Sequence, residues 1–193
     1  MNTTTIKIGI LLFKDACPMD FVGPYEAFSV LNYADSPRCE IFTVSEVKGD
    51  IHTFDLTIKA NYDFTDCPQA DIIIIPGGKT PQILDNAAII QWLQAQSKKT
   101  ELLFSVCNGA LLLAKAGLLK GLPATTHHKF YAALLEVDST IQLQKKARFI
   151  DNGSIVTSAG ISAGIDAALY IIDKKLGKEA YLHSCEILEY GDA

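Results

Sequence analysis

Asp71–Ile75 reads DIIII and is cut off at once by Pro76-Gly77-Gly78. Four consecutive isoleucines leave no polar face, and five residues are too few for a helix. Such a run is a strand covered on both sides. Ile6–Phe13 (IKIGILLF) and Leu102–Val106 (LLFSV) have the same character. Strands buried on both faces require helices packed above and below a parallel sheet. Helical stretches lie between them. Pro24 fits the first turn of a helix reaching about Leu31, and Pro81–Lys99 keeps a helical period through Ile83, Leu84, Ile89, Ile90, Trp92 and Leu93. Ala110–Ala116, about Lys129–Leu135, Ile161–Leu176 and Lys178–Tyr190 supply further helices. Cys39–Val47 and Phe54–Ala60 alternate as strands, with a short strand at Ala124–Thr126. Asn152-Gly153 sets a hairpin between Ala147–Ile150 and Ser154–Thr157, read as a local excursion. The expected fold is α/β, a three-layer sandwich around a mostly parallel central sheet. With 193 residues and no repeat or linker, one domain over residues 1–193 is expected.

Charge narrows the partners. Lys and Arg total 17 against 22 Asp and Glu, a formal net charge of −5, and no basic run exceeds Lys-Lys. That balance argues against nucleic acid or an anionic membrane as partner. No stretch approaches the roughly 18–20 apolar residues of a bilayer span. Met1–Thr5 is polar and Ile6–Phe13 is too short and β-branched for a secretory signal. A soluble, cytoplasmic protein is expected.

Five cysteines, Cys17, Cys39, Cys67, Cys107 and Cys185, are scattered without C-x-x-C or metal-like pairing with histidine. In a cytoplasmic chain they read as reduced thiols. Cys107 stands apart, because Ser105-Val106-Cys107-Asn108-Gly109 runs a buried strand straight into a helix. A sharp turn there projects a nucleophile over the sheet edge, and sites in α/β sheets form beyond the carboxyl ends of strands. Gly109 leaves room for the turn, and Ser105 is small. The helix N-terminus is expected to lower the thiol pKa. The Asn108 N–H with that of Gly77 or Gly78 would form an oxyanion-hole-like pair. The opposing reading is a buried core thiol in a tight turn. Cys39, Cys67 and Cys185 read as structural, while Cys17 follows strand one near the same edge and stays open.

A reactive thiol needs an acid or base in reach. Asp20, in Pro18-Met19-Asp20-Phe21, follows the first strand and approaches Cys107 if strands one and five of the usual parallel order are neighbours. It equally suits a helix N-cap. Of four histidines, His127 follows Ala124-Thr125-Thr126 and could face the site, in a supporting role. His52 and His183 look peripheral. No spacing resembles a zinc site, a G-x-G-x-x-G turn or a P-loop, so neither metal nor cofactor is expected.

Pro76-Gly77-Gly78, Ser105–Gly109, Ala124-Thr125-Thr126-His127 and Ser158-Ala159-Gly160-Ile161-Ser162-Ala163-Gly164-Ile165-Asp166 occur here in the order found in the ThiJ/PfpI superfamily. The chain resembles that family from Ile8 to about Tyr190. The resemblance implies the flavodoxin-like, class I glutamine amidotransferase-like fold. Met19–Pro24 and the GISAGID segment look most like isonitrile hydratases, and also like ligand domains of AraC-type regulators. Similarity to the hydratases implies that Cys107 attacks the isonitrile carbon and Asp20 assists proton transfer or water activation, giving an N-substituted formamide. One departure is Cys107-Asn108-Gly109 where the hydratases have Cys-Thr-Gly, which leaves the substrate open but not the nucleophile. Family members of this size imply a homodimer. The competing readings are a glyoxalase or deglycase acting on reactive carbonyls, and a non-enzymatic ligand or redox sensor. The chain stops at Ala193, soon after its last expected helix, so no DNA-binding helix-turn-helix is expected.

Overall fold

A computed structural model describes residues 5–33 and 39–191. The expectations for Met1–Thr4 and for the chain's end at Ala193 lie outside the described residues. In chain order the elements are β1 (Ile6–Leu11), α1 (Pro18–Ser29), β2 (Cys39–Ser45), β3 (Gly49–Thr53), β4 (Leu56–Ala60), β5 (Tyr62–Asp63), β6 (Ile72–Ile75) and α2 (Ala87–Gln96). Then come β7 (Leu102–Ser105), α3 (Ala110–Lys115), β8 (Pro123–Ala124), α4 (Tyr131–Val137), β9 (Gln142–Leu143), β10 (Phe149–Asp151), β11 (Ile155–Ser158), α5 (Ala163–Leu176) and α6 (Lys178–Ile187).

The main sheet has the order β10-β11-β7-β6-β1-β2-β5. Every neighbouring pair is parallel except β10 with β11. The isoleucine run lies at its centre, Ile73 opposite Gly9 on one side and Leu103 on the other, and all of β6 is buried. Helices α1, α5 and α6 pack on one another, and α2 and α4 each pack on α3, so the sheet is the middle of three layers.

Several local expectations change. The helix after β1 starts at Pro18, which takes the first-turn position, and Pro24 lies inside it. There Pro24 lacks the N–H that would bond to the Asp20 carbonyl. The expected helix over Pro81–Lys99 is broken by Asn86, whose side chain accepts from the N–H groups of Ala88 and Ile89 at 2.9 and 3.2 Å and so starts α2 afresh. The Asn-Gly hairpin is no excursion. Its second strand, β11, is wholly buried and pairs with β7, which places β10 on the sheet edge. The strand expected at Ala124–Thr126 is reduced to Pro123–Ala124. A β3–β4 ribbon, closed at Phe54-Asp55 with Phe54 at φ +52°, had only its second strand visible in the sequence.

Gly23 lets α1 approach α5, and Gly164 lets α5 approach the residue that follows β7. A Cβ on Gly23 would lie 3.0 Å from Ile165 Cγ1, and one on Gly164 would lie 2.8 Å from Val106 Cγ1. This close seating brings the first turn of α1 over the carboxyl end of the sheet. Among the described residues no helix is long and apolar enough to cross a membrane.

Candidate active site

The strand β7 ends at Ser105, and Cys107 follows in a left-handed conformation, φ +58°. A non-glycine residue holds that geometry only where its surroundings enforce it. Here the Cys107 N–H donates to Ala159 O at 3.0 Å, and its carbonyl accepts from Thr126 Oγ1 at 2.8 Å. Gly109 is required by the turn, because a Cβ there would sit 2.2 Å from the Ile75 carbonyl oxygen. The result is a buried thiol, 8% exposed, held at the sheet edge.

Asp20 reaches it by a route the sequence did not suggest. The strands β1 and β7 are not neighbours, since β6 lies between them. The start of α1 instead folds over the end of β6: Cys17 N–H donates to Gly77 O at 2.8 Å, and Gly77 N–H donates to Asp20 Oδ2 at 3.1 Å. A Cβ on Gly77 would meet Asn108 Oδ1 at 2.1 Å and Asp20 Oδ2 at 2.8 Å. Glycine at 77 is therefore what lets the carboxylate and the elbow meet. Asp20 is not the N-cap of α1; Cys17 is, and Asp20 points inward with no solvent exposure.

Beyond the Gly77 N–H, the Cys107 and Cys17 thiols and the Ile161 N–H face the Asp20 carboxyl. Only Oδ2 makes a hydrogen bond of ordinary geometry, and Oδ1 is buried without one. Burial pushes the carboxyl up from 3.8 to about 6, against those donors. Burial, with the Asp20 charge next, pushes the Cys107 thiol from 9.0 up to about 12, although the Asn108 N–H favours the thiolate. The expected lowering by a helix N-terminus is thus overturned. The turn opens with a 3₁₀ segment, Cys107–Gly109, and α3 has only six residues, so its dipole is outweighed by burial and by the neighbouring carboxylate. Between about pH 6 and 12 the two groups hold one proton and one negative charge between them.

Asn108 also differs from expectation. Its Oδ1 accepts from Gly78 N–H at 2.7 Å and Thr80 Oγ1 at 3.2 Å, and its Nδ2 donates to Gly78 O at 2.9 Å. The side chain locks the Pro-Gly-Gly turn to the elbow, with Gly78 at φ +128°. Since Gly77 N–H goes to Asp20 and Gly78 N–H to Asn108, the expected oxyanion-hole pair does not form. Of the three N–H groups expected to form it, the Asn108 N–H is the one that faces the Cys107 sulfur.

His127 lies apart from the pair. Its Nδ1 accepts from Lys129 N–H at 3.3 Å, its ring packs on Gly160, and it makes no hydrogen bond to Cys107 or Asp20. Burial, His128 and Lys129 lower its pKa. His52 pairs with Thr57, and His183 with the Val30 carbonyl, both away from the elbow. Cys17 was left open by the sequence and belongs to the site. Its position three residues before Asp20 on the opening turn of a helix was the available signal. Ala159, Ile161 and Thr126 act through backbone atoms or a hydroxyl, and only the known fold exposes them. Among the described residues no three His, Cys, Asp or Glu side chains are placed to hold a metal ion.

The DJ-1/PfpI family profile matches residues 6–174. The chain belongs to that family. Isonitrile hydratase of Pseudomonas putida is 30% identical over 97% of this chain and 80% of its own length. The HTH-type transcriptional regulator GbdR of Pseudomonas aeruginosa is 31% identical over 64% of this chain, which spans only 33% of that regulator. Among solved structures, a ThiJ/PfpI family protein from Pseudomonas syringae superposes with a TM-score of 0.88 at 25% identity, covering 99% of this chain and 77% of that one. The relatives thus include an enzyme and a regulator.

Proposed function

We propose that this DJ-1/PfpI protein is a cysteine-dependent hydratase that converts a small isonitrile into an N-substituted formamide. The observation that carries the reading is the Asp20 carboxyl over Gly77, facing the Cys107 thiol with one shared proton and a free Oδ1. The likeness to the Pseudomonas putida isonitrile hydratase supplies the substrate class.

An isonitrile carbon accepts a nucleophile and a proton at the same atom. As the Cys107 sulfur bonds to that carbon, Asp20 takes the thiol proton and returns it to the carbon, giving the thioimidate Cys–S–CH=N–R. Water then adds across the C=N bond, its oxygen to carbon and a proton to nitrogen. Asp20 relays that proton. Cleavage of the C–S bond sends the hydroxyl proton back to sulfur and releases R–NH–CHO. Substrate plus one water equals product, and the free thiol is restored. Asn108 N–H holds the sulfur through both steps, while His127 is left outside them.

The protein acts as a single cytoplasmic domain, and a second copy seats on Met19, Val22 and Tyr25, which expose 43, 43 and 42% along one side of α1. Light scattering on the purified chain tests the dimer, and a monomer at working concentration rejects it. The activity test is side-by-side incubation with cyclohexyl isocyanide and methylglyoxal. Formamide production that vanishes in Cys107→Ala supports the hydratase. Consumption of the aldehyde alone replaces it with a carbonyl-directed enzyme, and full activity in Cys107→Ala removes the cysteine from the chemistry.

A further inference from the structure

Ala159-Gly160-Ile161 touches the Cys107–Asp20 pair and also borders a second space. Ala159 O holds the Cys107 N–H, and the Ile161 N–H faces the Asp20 carboxyl. Ile161 sits at φ +51°, a strained conformation for a β-branched residue. Ala159 and Gly160 also line a cavity of about 270 Å³, whose other walls include His127, His128, Tyr131, Lys145, Lys146 and Arg148. No carboxylate lines it. Arg148 is already paired with Asp166. Among the described residues the Lys145 and Lys146 ammonium groups have neither ion pair nor hydrogen bond.

In a chain of net charge −5, two adjacent unpaired lysines concentrate positive potential in a concave space. Its size suits a small metabolite and is too small for a polymer segment. The coupling to the elbow is steric. A Cβ on Gly160 would lie 2.1 Å from His127 Cδ2, so the imidazole rests directly on the backbone that holds Cys107 and Asp20. We infer that this cavity binds a small oxyanion, a carboxylate or phosphate group, and that its occupancy is transmitted through His127 and Ala159–Ile161 to the Cys107–Asp20 pair.

The full chain is titrated with inorganic phosphate and, separately, malonate, against chloride at matched ionic strength. Binding is followed by calorimetry, and Cys107 reactivity by iodoacetamide alkylation with mass-spectrometric readout. Saturable binding above the chloride control is expected, weakened about tenfold in Lys145→Gln/Lys146→Gln through loss of charge-assisted hydrogen bonds. Both lysines are exposed, so the variant keeps the fold. A bound anion is expected to slow alkylation in the parent protein about twofold, and in the variant only at about tenfold higher anion. Preference for phosphate or malonate tells a phosphoryl from a carboxylate ligand. Binding equal to chloride, or undiminished in the variant, overturns the site, and alkylation indifferent to a bound anion overturns the coupling. Neither readout depends on isonitrile turnover, so the two proposals fail separately.

Discussion

Replacing Asp20 with asparagine removes a buried ionisable group, and the effect on stability has a definite pH dependence. The folded carboxyl titrates at about 6 against 3.8 for the ordinary group. A carboxyl raised in the folded state binds its proton more tightly there than in the unfolded chain. Below pH 3.8 both states are protonated and the group is neutral in its effect. As pH rises from 3.8 through 6 the unfolded chain ionises freely while the folded one resists, so stability falls across that window. The interval from 3.8 to about 6, at about 1.36 kcal/mol per pKa unit, amounts to about 3 kcal/mol. Asparagine is isosteric, can still accept from Gly77 N–H, and does not titrate. The assay is urea denaturation of parent and Asp20→Asn proteins at half-unit steps from pH 3.5 to 8, with the difference in unfolding free energy plotted against pH. The variant should gain about 3 kcal/mol relative to the parent between the two ends, with the rise confined to the window from about 4 to 6.5. Other carboxylates cancel in the difference, and any change in hydrogen bonding enters as a constant offset. A flat difference would refute the buried, perturbed carboxyl and with it the shared proton. Gain in stability with loss of turnover is the expected signature of a strained functional group.

The same substitution frees the thiol. Removing the Asp20 charge removes the second cause of the raised thiol and leaves burial, the larger one, in place. The Cys107 midpoint, followed by thiolate absorbance at 240 nm with Cys107→Ala as blank, should therefore fall below about 12 in Asp20→Asn while staying above the ordinary 9.0. An unchanged midpoint would remove Asp20 from the sulfur's surroundings. Gly77→Ala drives a methyl into Asn108 and Asp20; thermal melts should show a loss of about 1–3 kcal/mol, and turnover should drop with it. Asn108→Ala strands the Gly78 N–H, 2.7 Å from Asn108 Oδ1 in the parent, and should cost about 1–3 kcal/mol in chemical denaturation. Parent-like stability there would show that Asn108 does not clamp the turn.

What the chain alone determined follows from local chemistry. Four isoleucines cannot present a polar face, so β6 had to be central, and Gly109 after a buried strand had to permit a tight turn. These are consequences of neighbouring residues, and they carried both the parallel sheet and the elbow at Cys107. The placement of α1 was less legible, because Pro24 suits a helix start, whereas the helix begins at Pro18 and carries Pro24 inside it. The meeting of Asp20 with Cys107 was decided by tertiary structure, 87 positions apart in sequence and joined across Gly77 rather than between adjacent strands. The state of the thiol was decided there too. A helix N-terminus in the sequence argued for a low pKa, whereas the fold buries sulfur and carboxylate together, and desolvation with like-charge repulsion exceeds what one short turn of N–H groups supplies.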